Sequence, residues 1–183
     1  VFTYDFALLQ YLENGFLDTS FGSNGFVLTD FDCDQDYGEI LAIQTDGKIL
    51  LGGSIYISPA QDFSLARYLP DGTLDASFGT NGMVITELGD GYDFSKGIMI
   101  QDSPGGKIIL SGAIFQENSG GYNFGILRYL SDGTLDTSFG TDGITTFDFS
   151  NGIDVADGIL ELPNGNIILG GWAEIGSNRD FGI

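Results

Sequence analysis

The chain has 183 residues, 26 acidic against 6 basic, for a formal net charge of −20, and 42% of it is hydrophobic. That charge excludes nucleic acid and an anionic membrane surface as natural partners, since both are bound through Lys and Arg, and the apolar content excludes disorder. No run of about 18 apolar residues is present to make a transmembrane segment, and with no histidine and a single cysteine, Cys33, these residues hold no Ser-His-Asp or Cys-His catalysis, no ordinary zinc site and no internal disulfide.

The first predicted strand runs from Phe6 to Tyr11 and is closed by the turn signal Asn14-Gly15. The phrase Leu17-Asp18-Thr19-Ser20-Phe21-Gly22 follows, then Asn24-Gly25 and a short strand, Phe26-Val27-Leu28-Thr29. An acidic connection leads to Ile40-Leu41-Ala42-Ile43-Gln44, which Asp46-Gly47 joins to Lys48-Ile49-Leu50-Leu51-Gly52-Gly53. Asp-Gly between two strands predicts a two-residue hairpin with both turn residues at positive φ. Then the series begins again. Phe63 to Tyr68 ends at Asp71-Gly72, and Leu74-Asp75-Ala76-Ser77-Phe78-Gly79 precedes Asn81-Gly82 and Met83-Val84-Ile85-Thr86. In the third copy Phe124 to Tyr129 ends at Asp132-Gly133, and Leu135-Asp136-Thr137-Ser138-Phe139-Gly140 precedes Asp142-Gly143. The Leu-Asp-x-Ser-Phe-Gly phrases are 57 and 61 residues apart (74 − 17 and 135 − 74). A second phrase keeps step: Asp46-Gly47-Lys48-Ile49-Leu50, Gly105-Gly106-Lys107-Ile108-Ile109 and Asn164-Gly165-Asn166-Ile167-Ile168.

No window carries a 3.6-residue apolar period with helix caps, so the unit is about four strands and nothing else. The trios Ile49-Leu50-Leu51, Ile108-Ile109-Leu110 and Ile167-Ile168-Leu169 do not alternate, as in strands buried on both faces. Gly52, Gly53, Gly112, Gly170 and Gly171 suit close backbone approach where sheets crowd. Four-stranded antiparallel units packed face to face predict an all-β fold, a β-propeller with three repeats present as part of a larger ring. A β-solenoid, with shorter coils and fewer hairpins, ranks below it. The repeats run over about 4–61, 62–121 and 122–179, and 180–183 start a further one. The chain opens at Tyr4-Asp5-Phe6 and stops in the same phase at Asp180-Phe181-Gly182-Ile183, which is the expectation for a segment of a longer protein.

The stretch from Asp62-Phe63-Ser64-Leu65-Ala66-Arg67-Tyr68 through Asp71-Gly72-Thr73-Leu74-Asp75-Ala76-Ser77-Phe78-Gly79, together with Ile43-Gln44-Thr45-Asp46-Gly47-Lys48-Ile49-Leu50, resembles the delta-60 repeat, a bacterial β-propeller repeat of about 60 residues. The resemblance implies a long, secreted or surface-exposed bacterial protein, often carrying a signal for type IX secretion, and it implies no catalytic residues. Two columns depart from the pattern: Asn164-Gly165-Asn166 replaces Asp-Gly-Lys, and Gln10 stands where Arg67 and Arg128 stand. A propeller has four to eight blades, so three repeats call for others outside this segment or for assembly of copies.

Repetition divides the candidate residues. Asp18, Asp75 and Asp136, each two residues before a Ser, read as Asx turns whose Phe21, Phe78 and Phe139 anchor the bend in the core. Arg67 and Arg128 are expected to pair with a carboxylate and stack on an aromatic; Lys48 and Lys107 are expected to be exposed. The sharpest asymmetric feature is Asp30-Phe31-Asp32-Cys33-Asp34-Gln35-Asp36-Tyr37-Gly38-Glu39. Alternating carboxylates chelate a hard cation such as Ca²⁺, with Asp32, Asp34 and Asp36 as ligands. The competing reading is a solvated acidic strand end with Phe31 and Cys33 inward. This is no EF-hand, because Gly38 comes one place late and Ile43 stands where the bidentate Glu would be. Only Asp36 has clear counterparts, Asp93 and Asp154. The connections holding Glu87, Asp90 and Asp93, and Asp148, Asp154 and Asp157, are acidic too and predict a diffuse cation-attracting rim. Tyr56, Phe115, Tyr122 and Trp172 either stack on sugar rings or pack blade against blade; Trp172, present once, is the best ligand contact.

The functional expectation is a non-catalytic extracellular propeller, structural or adhesive, with a protein or glycan partner at the cell surface. The alternatives are a carboxylate-dependent polysaccharide-active enzyme, which needs two acids about 5–10 Å apart, and a type IX secretion cargo whose contacts to the export machinery lie outside the repeats.

Overall fold

The structure, a computed structural model, describes residues 3–89, 91–101, 106–117, 120–149 and 151–176, and the backbone of 178–182. All regular elements in it are strands. β1 (Phe6–Leu9) and β2 (Phe26–Thr29) form a two-stranded antiparallel sheet. β3 (Gln35–Ile43), β4 (Ile49–Ile57), β5 (Ala60–Tyr68) and β6 (Met83–Thr86) form a four-stranded antiparallel meander. β7 (Phe94–Ile100), β8 (Ile108–Gln116), β9 (Gly121–Tyr129) and β10 (Ile144–Phe147) form a second. β11 (Asp154–Glu161), β12 (Ile167–Ile175) and β13 (Asn178–Gly182) make a third sheet of three strands. β7 packs on the β3–β5 sheet as β11 packs on the β7–β9 sheet. These are β-propeller blades. Their phase differs from that of the sequence repeats: the repeat that begins at Asp62 starts inside β5, so every repeat straddles a seam between two sheets.

The turns divide into two chemistries, and one expectation is corrected. At Asp46-Gly47 only Gly47 has positive φ, with the Gly47 N–H donating to the Gln44 carbonyl and the Gln44 N–H to Lys48. The loop is a type I turn closed by a left-handed glycine, one residue longer than the two-residue hairpin expected. The right-handed Asp46 can then use its carboxylate to accept the Lys48 N–H at 3.2 Å. The two-residue turn with both φ positive occurs instead at Asn81-Gly82 (54° and 94°), and likewise at Asn24-Gly25 and Asp142-Gly143.

Gly53, Gly112 and Gly171 lie opposite a bulge in β3, β7 and β11. A Cβ at these glycines would stand 1.8, 2.0 and 1.9 Å from the carbonyl oxygens of Tyr37, Phe94 and Val155. No side chain fits there. Gly170, in contrast, has open space.

The cores lie between sheets. One seam buries Phe6, Leu8, Phe21, Leu51, Ala66 and Tyr68; the next buries Leu50, Phe63, Leu65, Phe78, Leu110 and Tyr129. Leu50 and Leu51 therefore serve opposite faces of β4, which is why that trio does not alternate. The trio in β12 differs, with Ile168 exposed. Each complete seam also carries a buried hydroxyl pair: the Tyr68 hydroxyl donates to the Thr29 hydroxyl at 2.8 Å, and Tyr129 and Thr86 share a bond of 2.7 Å.

Candidate functional site

The repeated phrase builds an ionic rivet. Asp18, Asp75 and Asp136 each accept the backbone N–H and the hydroxyl of the Ser two residues on, the hydroxyl contacts being 2.6 Å in all three. The second oxygen of Asp75 receives Arg67 Nε at 2.9 Å and Lys48 Nζ at 3.2 Å. Asp136 receives Arg128 Nε at 2.8 Å and Lys107 Nζ at 2.7 Å. Each guanidinium lies 4.4 Å over a ring, Arg67 on Phe78 and Arg128 on Phe139. Lys48 and Lys107 are thus half-buried partners and not the free surface cations the sequence suggested; each reaches back over its hairpin to the carboxylate. Arg67 also donates to the Ser131 carbonyl of the next blade at 2.5 Å. Phe21 and Phe78 are buried beneath the Gly72 and Gly133 turns of the following blade, and Phe139 is half-buried. Burial opposes the charge on Asp75, but the Ser77 bonds, then Lys48 and Arg67, outweigh it and hold the carboxyl well below its usual range. Asp136 is lowered in the same way, by Lys107 first and then Ser138.

The aromatics are spent on one another, across a seam for Tyr56 and within one sheet for Phe115 and Tyr122. Tyr56 of β4 stacks on Tyr92 before β7 at 6.0 Å, and Tyr4 stacks on Tyr37 at 5.6 Å. Tyr122 meets both Phe115 and Phe94 at 5.6 Å. Tyr56, Phe115 and Tyr122 are therefore half-buried, not free rings. Trp172, in β12 opposite Val155, is half-buried too. It holds the register position at which Ser54 and Ala113, opposite Tyr37 and Phe94, are fully buried.

The acidic stretch does not gather Asp32, Asp34 and Asp36. Asp32, at a positive φ of 60°, and Asp34 are exposed, while Asp36 is buried in β3. The tight bend after β2 breaks the alternation that would have put the three on one strand face. Asp36 meets Asp30, just beyond β2, and Asp5, just before β1, with carboxylate oxygens all within 4.8 Å of one another. The Asp36 N–H donates to the Tyr4 carbonyl at 2.7 Å, and its Oδ2 accepts the Phe31 N–H at 2.8 Å. Burial, then Asp30 and Asp5, raise the Asp36 carboxyl above its usual range against the pull of the Phe31 N–H. Asp5 and Asp30 carried a signal that was readable: at repeat spacing they align with Asp62 and Glu87 and with Asn123 and Asp148.

Those columns rebuild the arrangement at later seams with different partners. Asp93 accepts the Phe115 N–H at 2.6 Å, and Asp62 accepts the Leu88 N–H at 3.2 Å. Burial pushes Asp93 up to about 6, the Phe115 N–H opposing and Asp62 adding to the rise. Asp154 accepts the Phe149 N–H at 2.8 Å, as Asp36 does from Phe31. Asp90 of the expected acidic rim lies outside the described residues, and Asp157 is exposed.

A groove of about 830 Å³ runs past Phe31, Asp32, Ser77, Asn81 and Asp132. The Asp132 carboxylate is occupied by the Thr134 N–H and hydroxyl, which lower its pKa.

Residues 44–78 and 104–139 match the family model described as a domain of unknown function (DUF5122) beta-propeller. No match is found among curated proteins. The matched segments hold β4, β5 and the Leu-Asp-x-Ser-Phe phrase in one case, and β8, β9 and the same phrase in the other. Family match and four-stranded meanders agree that this chain is made of β-propeller repeats.

Proposed function

We propose that the chain is a non-catalytic propeller module of a secreted bacterial surface protein, a scaffold that presents its loops to a protein or glycan partner. The reading is supported by the use made of the few cations. Four of the six, Lys48, Arg67, Lys107 and Arg128, neutralise Asp75 and Asp136 in the same way in two blades. Charge spent symmetrically holds blades; catalysis breaks symmetry at one site. A glycosidase further needs an acid of raised pKa beside its substrate. Among the described residues the carboxyls raised by burial, Asp36, Asp62, Asp93 and Asp154, are at most 3% exposed and are enclosed in seams. The delta-60 resemblance supports a secreted bacterial surface protein, and export by the type IX route fits it.

Three measurements test this. Incubation with a polysaccharide panel should release no reducing ends, whereas retention on an immobilised glycan or surface protein should be lost in Trp172→Ala with folding intact. Hydrolysis abolished by a single carboxylate substitution overturns the non-catalytic reading. External protease should remove the protein from intact cells; full protection overturns the secreted placement.

A further inference from the structure

We infer that Asp5, Asp30 and Asp36 form a binding site for one hard divalent cation of the Ca²⁺ class, stapling the β1–β2 sheet to β3. Three carboxylates from three separate elements converge there, with oxygens within 4.8 Å of one another. Like charges at that range repel strongly unless something positive sits between them. The ion pairs of the described residues use Asp46, Asp75, Glu39 and Asp136, so no cationic side chain answers these three.

The second observation is an orphaned oxygen. Asp36 is 1% exposed, its Oδ2 takes the Phe31 N–H, and its Oδ1 is buried with no hydrogen-bond partner. A desolvated, unpaired carboxylate oxygen is costly, and a bound cation is what satisfies it. Asp30 is fixed in the same manner, one oxygen accepting the Asp32 N–H at 2.7 Å. The Asp36 N–H to Tyr4 carbonyl bond sets the spacing between strands before any ion arrives.

The other seams show what an occupied alternative looks like. In the second, Phe115 and Leu88 N–H groups answer Asp93 and Asp62, and neither carboxylate has a buried oxygen left over. In the third, Asp154 keeps a buried unpartnered Oδ1, but Asn123 stands in the place of Asp5 and removes one charge. Among the described residues, the first seam alone combines three carboxylates with an unanswered oxygen.

The donor set selects the ion. Carboxylates are hard ligands, and Ca²⁺ binds oxygens at about 2.3–2.6 Å, so oxygens up to roughly 5 Å apart can share one ion. Mg²⁺, at about 2.0–2.1 Å, demands near-ideal octahedral geometry and gives up its waters reluctantly, which suits less well three carboxylates fixed on separate elements. Nearby Cys33 does not converge with the three carboxylates; its thiol donates to the Phe31 carbonyl at 3.3 Å. Water completes the six to eight oxygens that Ca²⁺ takes.

The test is titration of the chelator-stripped purified protein with CaCl₂, read by calorimetry and melting temperature, with Tb³⁺ luminescence as a second probe. Ca²⁺ should bind and raise the melting temperature by several degrees through mass action. Asp36→Asn and the less buried Asp30→Asn should each weaken binding by more than tenfold. Asp34→Asn and Asp93→Asn should leave it unchanged. Asp30→Asn covers the case in which Asp36→Asn does not fold. No heat, no melting shift and no Tb³⁺ signal at millimolar ion overturns the site. Equal loss in Asp34→Asn overturns its ligand set, and equal response to Mg²⁺ overturns the Ca²⁺ assignment.

Discussion

At the residue scale, Arg67 and Arg128 look alike in sequence but hold different loads. Arg67 is nearly buried, stacks on a fully buried Phe78 and reaches across a seam to the Ser131 carbonyl. Arg128 is more exposed and stacks on the half-buried Phe139. Arg67→Ala leaves buried Asp75 to Lys48 alone and removes the cross-seam bond, and should cost about 3 kcal/mol; Arg128→Ala should cost about 1 kcal/mol, both read by urea denaturation. Equal losses would show that the cross-seam bond carries nothing. Arg67→Lys should not restore stability, because a point charge cannot both pair and stack.

The carboxyls predict an optimum in pH. Asp93 has a folded pKa of about 6, above its unfolded value near 3.8, so the fold disfavours its charged form at neutrality. Stability should rise as pH falls from 7 toward 5 by about 1–1.5 kcal/mol, and the rest of Asp93's contribution appears only as pH nears the unfolded value of about 4. Asp75 and Asp136 are shifted the other way: their contribution is present above the unfolded pKa and is lost as pH falls below about 4. Melting temperature measured in chelator should therefore peak between about pH 4 and 5. In Asp93→Asn the rise between pH 7 and 5 should shrink, with the acid loss unchanged.

At the scale of the element, most strands were legible as short apolar runs ended by Gly-containing turns; the acidic first half of β3 and the Ser58-Pro59 turn into β5 carried no such signal. The turn type was not legible. Asp-Gly and Asn-Gly look equivalent in sequence, but Asp46 is right-handed and Asn81 left-handed, because the loop that holds Asp46 is one residue longer than the one that holds Asn81. The bulges were likewise hidden; their trace was the glycine opposite. Gly112→Ala drives a methyl into the Phe94 carbonyl and should cost about 2 kcal/mol or more, while Gly170→Ala, with open space, should change stability by less than about 0.5 kcal/mol. Similar effects at the two sites would mean that the bulge relaxes freely.

For the whole molecule, stability resides between sheets. β4 and β8 are central strands with both faces buried, whereas β2 and β10 are short sheet edges. Amide exchange should be slowest in β4 and β8 and fastest in β2 and β10, the sheet edges opening before the centres. Uniform protection across each sheet would instead make the blade the cooperative unit.

By itself the sequence determined the repeat length, the strand-only architecture and the expectation that Arg67 pairs with a nearby carboxylate and stacks on an aromatic, partners that are Asp75 and Phe78 in the structure. Those contacts span at most about one hairpin, and residues that close are brought together by local turn geometry. Tertiary structure alone decided which residues meet across a seam. Asp5 joins Asp36, Tyr68 joins Thr29 and Arg67 joins Ser131 because twisted sheets stack face to face. A strand's own period says which side chains share a face; it does not say what the neighbouring sheet brings to meet them.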